Sequence, residues 1–268
     1  MKASVFSIEG KALRQIELPE AFNEEVDFNL IKRAVLAIRS AKRQSYGANP
    51  RAGRTNTAEY IGARHYPTPM RTINTGRARK PRLRNRRFLL YGRVAGIAGV
   101  VGGPKAHAPK SWKQLREKIN RKEKQKATHS ALAAIADKEL VKERGHVFDD
   151  SKIKETPVIV EDKFEELVKA KDVEKVLKAL GIMQDIEKAK SKRQVRAGKG
   201  KNRGRKYKKR KSILIIVSKP KTPVIKAARN FEGIDVVAAQ LLNAEQLAPG
   251  ARAGRLALIT EKALKELQ

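Results

Sequence analysis

A chain of 268 residues, 40% of them hydrophobic, can bury a sizeable core, which excludes disorder throughout. Its 61 Lys plus Arg against 28 Asp plus Glu leave a net charge of +33, a self-repelling excess that calls for a polyanion, with nucleic acid the first candidate. The absence of cysteine excludes disulfides, thiolate metal sites and thiol nucleophiles.

The start, "MKASVFSIEGKAL", lacks the apolar stretch of a signal peptide. The runs near "VAGIAGVV" and "ILIIV" are too short to cross a bilayer, so a soluble cytoplasmic protein without a membrane partner is expected. "SVFSIEGKALRQIEL" reads as two short strands around Glu9-Gly10, with Val5, Phe6, Ile8, Leu13, Ile16 and Leu18 as the apolar positions. From Asp27, an N-cap, Phe28, Ile31, Val35 and Ile38 recur at helical spacing.

Residues 45 to 112 follow, with 14 basic side chains, the single acid Glu59, nine of the 18 glycines and six of the 11 prolines. Helix faces mix charge signs and this segment does not, while its Gly and Pro break regular structure. We expect an extended loop without a core of its own, disordered alone and ordered by a polyanion. Its densest part, "NTGRARKPRLRNRR", carries Arg77, Arg79, Lys80, Arg82, Arg84, Arg86 and Arg87 around one large apolar residue, Leu83.

"SWKQ" and "NRKE" both have capping-box form, Ser111 with Gln114 and Asn120 with Glu123; the second opens a long helix through Leu132, Ile135 and Leu140, ended by Gly145. "TPVIV" is a buried strand, and "FEELVKAKDVEKVLKALG" a helix with Phe164, Leu167, Val168, Val176, Leu177 and Leu180 inward. Residues 188 to 211, "KAKSKRQVRAGKGKNRGRKYKKRK", hold 14 basic residues and no acid, a second basic loop. The rest of the chain balances 33 basic against 27 acidic residues. "SILIIVS", "DVVAAQ" and "RLALIT" then read as strands alternating with helical "VIKAARN", "NAEQLAPG" and "EKALKELQ". That alternation predicts a three-layer α/β domain, a mostly parallel sheet covered by helices, spanning 1–268 with the two basic loops inserted.

Catalytic and cofactor chemistry finds no support. "GIAGVVGG" has glycines at three-residue spacing and follows no strand, and "GKGKNRGRK" carries Arg203 where a phosphate-binding loop needs glycine. His65, His107, His129 and His146 lack metal-ligand spacing, and adjacent His129 and Ser130 point about 100° apart on a helix. No enzyme, cofactor or metal is expected.

Guanidinium groups fork onto phosphate oxygens, and the first loop offers Arg51, Arg54, Arg64, Arg71 and Arg93 besides the arginines of its densest part. Interleaved Tyr46, Tyr60, His65, Tyr66, Phe88, Tyr91 and Trp112 can stack on unpaired bases or pack on their own loop. No rigid helix or ribbon for a DNA major groove is evident, which favours folded RNA.

The order of "GGPKAHAPK", "NRKEKQKATHSALAA", "ERGHVF", "VRAGKGKNRGRKYKKRKSIL" and "NAEQLAPGARAGRLALITEKAL" resembles the universal large-subunit ribosomal protein L-four family in its archaeal form; "SYGANPRAGR" and "VFSIEGKALRQIELP" resemble its loop start and first hairpin. The resemblance implies a structural component of the large ribosomal subunit in the cytoplasm. Its partners would be large-subunit ribosomal RNA, neighbouring large-subunit proteins and, through the long loop, the nascent peptide at the exit tunnel wall, with no homo-oligomer. By motif it implies RNA contacts from Arg51 and Arg54, from Gly102, Gly103, Lys105 and His107, and from Lys199, Lys201, Arg203, Arg205, Lys206 and Tyr207. Asn74 to Tyr91 is longer and richer in arginine than the family pattern. An RNA-modifying enzyme, or an RNA-binding protein outside the ribosome, is the alternative.

Overall fold

The computed structural model describes residues 1–59, 80–84 and 89–267, which form two compact units, Met1–Lys42 with Arg116–Gln268, and Arg43–Leu115. In chain order, β1 (Lys2–Phe6) and β2 (Ala12–Glu17) make an antiparallel hairpin, and Asp27 caps α1 (Phe28–Ala41). The Asp27 carboxylate accepts from the N–H groups of Asn29 and Leu30 at 2.9 and 3.0 Å, satisfying donors that the helix leaves open. Two-residue strands β3 (Ala58–Glu59) and β4 (Arg82–Leu83) belong to the second unit.

α2 (Arg121–Ala136) starts at the predicted box, where the Glu123 carboxylate accepts from the Asn120 N–H at 3.3 Å. "SWKQ", by contrast, opens no helix. No side chain between 111 and 120 is buried and Trp112 is 75% exposed, so a turn of helix there has no packed face to hold it. Nor is there one long helix to Gly145. Asp137 leaves the helical backbone at φ −82° and ψ 108°, and its carboxylate caps α3 (Lys138–Glu143) by accepting from Glu139 and Leu140 N–H at 2.9 and 3.4 Å. A side chain that bonds the backbone locally competes with helix continuation, and here it wins.

The remaining elements are β5 (Val158–Val160), a 3-10 turn (Asp162–Glu166), α4 (Ala170–Ala179), α5 (Met183–Ser191), β6 (Gln194–Val195) and β7 (Tyr207–Lys208). Then come β8 (Leu214–Val217), α6 (Pro223–Ala228), β9 (Asp235–Ala238), α7 (Ala244–Leu247), β10 (Ala257–Thr260) and α8 (Glu261–Glu266). The predicted helix from Phe164 is therefore interrupted. Leu167 is extended at ψ 120°, which turns Val168 out to 72% exposure. Phe28 is also outside the core, 54% exposed at the first position of α1.

Six strands line up as β2-β1-β5-β10-β8-β9, antiparallel only between β1 and β2. Side chains alternate across the sheet as the pleat requires. Leu214, Ile216, Ile159 and Ile259 pack with α1, α2 and α8, whereas Ile215, Val217, Val158, Val160 and Leu258 pack with α4, α5 and α6. Both faces are thus covered by helices, each fully buried branched side chain contributing about 1.5–3 kcal/mol. Arg255, wholly buried, fastens one end of the sheet: its guanidinium donates to Ser212 O, Ile213 O and Gln246 O at 2.7, 3.1 and 2.8 Å and to Asp235 Oδ2 at 2.8 Å.

Candidate nucleic-acid interface

In the second unit, Arg82 is the only buried residue among those described, and these build no hydrophobic core. Its neck is held by backbone. Ala48 N–H donates to Pro109 O at 2.9 Å, and the turn after it closes through Ala52 N–H to Asn49 O at 3.0 Å and Arg54 N–H to Arg51 O at 2.9 Å. Gly53, at φ +76°, lies so close to the returning chain that a Cβ there would stand 2.4 Å from Gly103 C and Pro104 N. Gly103 is equally tight, with its own Cβ position 2.2 Å from Ile97 O. Glycine at both positions brings the start of the segment, with exposed Arg51 and Arg54, against its return, with exposed Gly102, Lys105 and His107.

β3 and β4 pair Ala58 with Leu83 and Glu59 with Arg82. Arg82 turns inward, 8% exposed, and donates to Gly92 O at 2.6 Å, while Arg84 pairs with Glu59. Lys80 and Arg93 are exposed. Tyr46, Tyr91 and Trp112 present rings to solvent, with Arg43 5.7 Å from the Tyr46 centroid and Lys110 5.2 Å from that of Trp112. Arg64, Arg71, Arg77, Arg79, Arg86 and Arg87, with Tyr60, His65, Tyr66 and Phe88, lie outside the described residues.

The second basic segment is more ordered than its composition suggests. Its first residues extend α5 to Ser191, and β6 and β7 then form a hairpin pairing Gln194 with Lys208 and Val195 with Tyr207. Arg196 closes it, its N–H donating to Lys206 O at 2.8 Å and its Nε to Arg205 O at 3.2 Å. The tip, a 3-10 turn over Lys199–Arg203, buries no residue. Arg193 sits 4.2 Å from the Tyr207 ring centroid and pairs with Glu232 at 2.7 Å, leaving Tyr207 41% exposed. Lys199, Lys201, Arg203, Arg205 and Lys206 form no ion pair among the described residues, so the tip is a cluster of uncompensated cations. A phosphate backbone laid on such a cluster would release its counterions.

At the base of this hairpin the first unit has a cleft of about 920 Å³ that sequence reading does not identify. Ten cationic side chains line it against three carboxylates, and each carboxylate is already engaged. Glu245 pairs with Arg39 at 3.6 Å and with Lys42, Asp235 with Lys211 and Arg255 at 2.7 and 2.8 Å, and Asp185 accepts from His146 Nδ1 at 2.9 Å, from Val147 N–H at 3.1 Å and from Ser212 Oγ. Burial alone would raise the Asp185 carboxyl, but the hydrogen bonds and charge of its partners, His146 foremost, hold it below its usual range. Among the described residues Arg144 donates only to carbonyls, including Pro249 O at 2.9 Å; burial, then repulsion from Arg255 and Arg252, pushes its pKa down to about 10. Arg144, Arg229 and Arg252 sit outside the basic runs, and only the fold assembles them; "ERGHVF", which contains Arg144 and His146, is the one sequence signal.

Just past the C-terminal end of β8, and at that of β10, the strands are joined through Glu165. Its buried carboxylate accepts from Ser218 N–H and Oγ at 2.7 and 2.6 Å and from Thr260 Oγ1 at 2.5 Å. Among the described residues no helix is long and apolar enough to cross a membrane.

Fold and surface together define a strongly basic α/β protein, with an exposed cationic hairpin standing on a sheet covered by helices. A family model for the ribosomal protein L4/L1 family matches residues 16–268. Similar chains include the large ribosomal subunit protein uL4 of Methanopyrus kandleri, 47% identical over 268 residues, covering 100% of this chain and 98% of that one. Those of Methanocaldococcus jannaschii and Halobacterium salinarum are 46% and 42% identical, each over 100% of this chain and 98% and 99% of theirs. The chain belongs to the ribosomal protein L4/L1 family.

Proposed function

We propose that the chain is a structural component of the cytoplasmic large ribosomal subunit that docks on large-subunit ribosomal RNA. Its similarity to uL4 chains along its whole length supports this. The observation that carries the RNA contact is the exposed hairpin tip, where Lys199, Lys201, Arg203, Arg205 and Lys206 have no carboxylate partner among the described residues. In this reading the domain and hairpin dock first. The long basic segment, 45–112, then extends inward as an ordered thread between RNA helices to the wall of the exit tunnel, where its arginines add positive potential along the path of the nascent peptide. Neighbouring large-subunit proteins complete its surroundings, and it acts as a single copy.

The test compares two variants for incorporation into large subunits in competition with wild type. Neutralising Lys199, Arg203, Arg205 and Lys206 together should weaken docking, since each lost charge-assisted bond is worth about 1.5–3 kcal/mol where desolvated. Removing residues 74 to 87 should leave incorporation partly intact. The reverse pattern would show that the two basic segments have been given each other's roles.

A further inference from the structure

The hairpin at the start of the chain leaves one edge of the sheet open. β2 is an outer strand of the six, and five of its six residues, Ala12–Glu17, are exposed. In its ladder with β1, Leu18 N–H donates to Met1 O at 2.9 Å, and Ile16 and Arg14 stand opposite Ala3 and Val5. Backbone groups alternate in direction along a strand, so Gln15 and Glu17 turn their N–H and C=O groups away from the sheet. No described residue outside β1 hydrogen-bonds to them. A bulge opposite Phe6 confines the regular stretch to the part from Arg14 to Glu17. Lysine or proline commonly blunts such an edge, and Ala12–Glu17 contains neither.

Around this edge the sign of the charge is reversed. In a chain of net +33, residues 1–27 carry six carboxylate side chains against Lys2, Lys11 and Arg14. Arg14 is already paired with Glu261 at 2.6 Å and Lys11 with Glu9 at 2.8 Å, whereas Glu17, Glu20 and Glu25 form no ion pair among the described residues. Beside Leu13 opens a cavity of about 380 Å³, with Val5 and Leu13 as its apolar wall and Glu161, Asp162 and Glu261 set against Arg14 and Lys163. Glu161 accepts from Ile8 N–H at 3.0 Å and Asp162 from Lys262 N–H at 2.8 Å, and a carboxylate has room for further donors. An apolar wall under carboxylates suits a lysine or arginine, methylenes on the wall and cation at the rim. A phosphate backbone would be repelled here. We propose that β2 is a docking strand for another protein, pairing with an extended basic segment that adds a seventh strand to the sheet and lays a lysine or arginine in the cavity beside Leu13. Main-chain bonds to Gln15 and Glu17 hold the segment, and the carboxylates select its charge. The edge shares no residue with the cationic hairpin, so its role does not depend on RNA docking.

The test uses the full chain with its amide nitrogens labelled, titrated with a blocked heptapeptide of alternating arginine and valine. Its controls are the same peptide N-methylated at alternate residues, which cannot complete a ladder, and one with glutamate in place of arginine. The arginine peptide should shift the Gln15 and Glu17 amides and slow their hydrogen exchange. N-methylation should weaken that binding about ten-fold or more, the worth of two hydrogen bonds. The glutamate peptide, drawn instead to the cationic hairpin, should leave both amides unmoved. Gln15→Pro, tolerated on an edge whose N–H faces outward, should abolish the shift at Glu17, and Glu17→Lys, an exposed change, should weaken binding read at Gln15 several-fold. Neither substitution should alter binding of large-subunit ribosomal RNA. Amides unmoved by the arginine peptide, or moved equally by the glutamate peptide, overturn the proposal. Shifts at these amides that grow with protein concentration before any peptide is added would give the edge to a second copy of the chain and overturn it too. Wild-type protein that takes the arginine peptide but fails to bind ribosomal RNA would overturn the RNA-docking reading and leave this one standing.

Discussion

Gly53→Ala should separate the two arms of the long basic segment without touching the sheet. An alanine at φ +76° costs about 1–2 kcal/mol in backbone strain. The added Cβ would also stand 2.4 Å from Gly103 C and Pro104 N and 2.8 Å from Gly103 O, all backbone, so no side chain can swing away. Overlap of this kind costs a further 1–3 kcal/mol or so. The arms should part, carrying Arg51 and Arg54 away from Lys105, and RNA binding would then have to reclose them. At about 2 kcal/mol or more, affinity for a large-subunit RNA fragment should fall roughly 30-fold, while the melting of the first unit stays unchanged. Gly99→Ala is the control: φ is +85° but nothing lies within 4 Å of its Cβ position, so only the strain remains and the loss should be several-fold smaller. Equal affinities for the two variants in fluorescence anisotropy would refute the claim that close backbone approach at Gly53 organises this interface.

Other outcomes follow from the same structure. Glu165→Ala strips the partner from Ser218 N–H, Ser218 Oγ and Thr260 Oγ1 inside the fold and should lower stability to urea by about 3 kcal/mol; a loss below about 1 kcal/mol would show that Glu165 is not holding the strand ends together. The Asp185 and Asp235 carboxyls are depressed in the folded chain, so their stabilisation is complete above the unfolded value near 3.9 and is lost as pH falls through the folded values. Denaturation midpoints should therefore drop steeply below about pH 4 and less steeply in Asp185→Asn, and parallel curves would contradict the assignment. With about ten phosphates neutralised, log RNA affinity should fall against log salt with a slope on the order of −7 to −9, and a slope near −2 would remove electrostatics as the main driver.

Strands β8 and β10 were legible because a run such as "SILIIVS" has one physical use, burial on both sides of a sheet. The caps at Asp27 and Asn120 were legible because short polar side chains before apolar runs satisfy open helix donors. Asp137 was not: in sequence it is one more polar residue in a helical pattern, and its extended backbone and its bonds to Glu139 and Leu140 N–H show that it ends one helix and starts another. The hairpin of β6 and β7 stayed hidden because continuous charge masks the alternation that signals a strand. Arg255 defeats composition altogether, since an arginine reads as surface until its five acceptors are seen around it. Charge runs pointed to the hairpin tip and to Lys188 and Lys208 to Lys211 of the cleft, but Arg144, Arg229 and Arg252 come from separate elements that only the fold brings together with them.

The central claim, that this chain is a fixed part of the large ribosomal subunit held there by RNA, is tested most directly by sedimentation of the native protein in lysate with and without ribonuclease. The account predicts that the protein travels with the large subunit, resists washing at moderate salt, and moves to the top of the gradient once the RNA is digested. A protein that stays at the top of the gradient in untreated lysate, or that keeps its position after complete digestion, would contradict it.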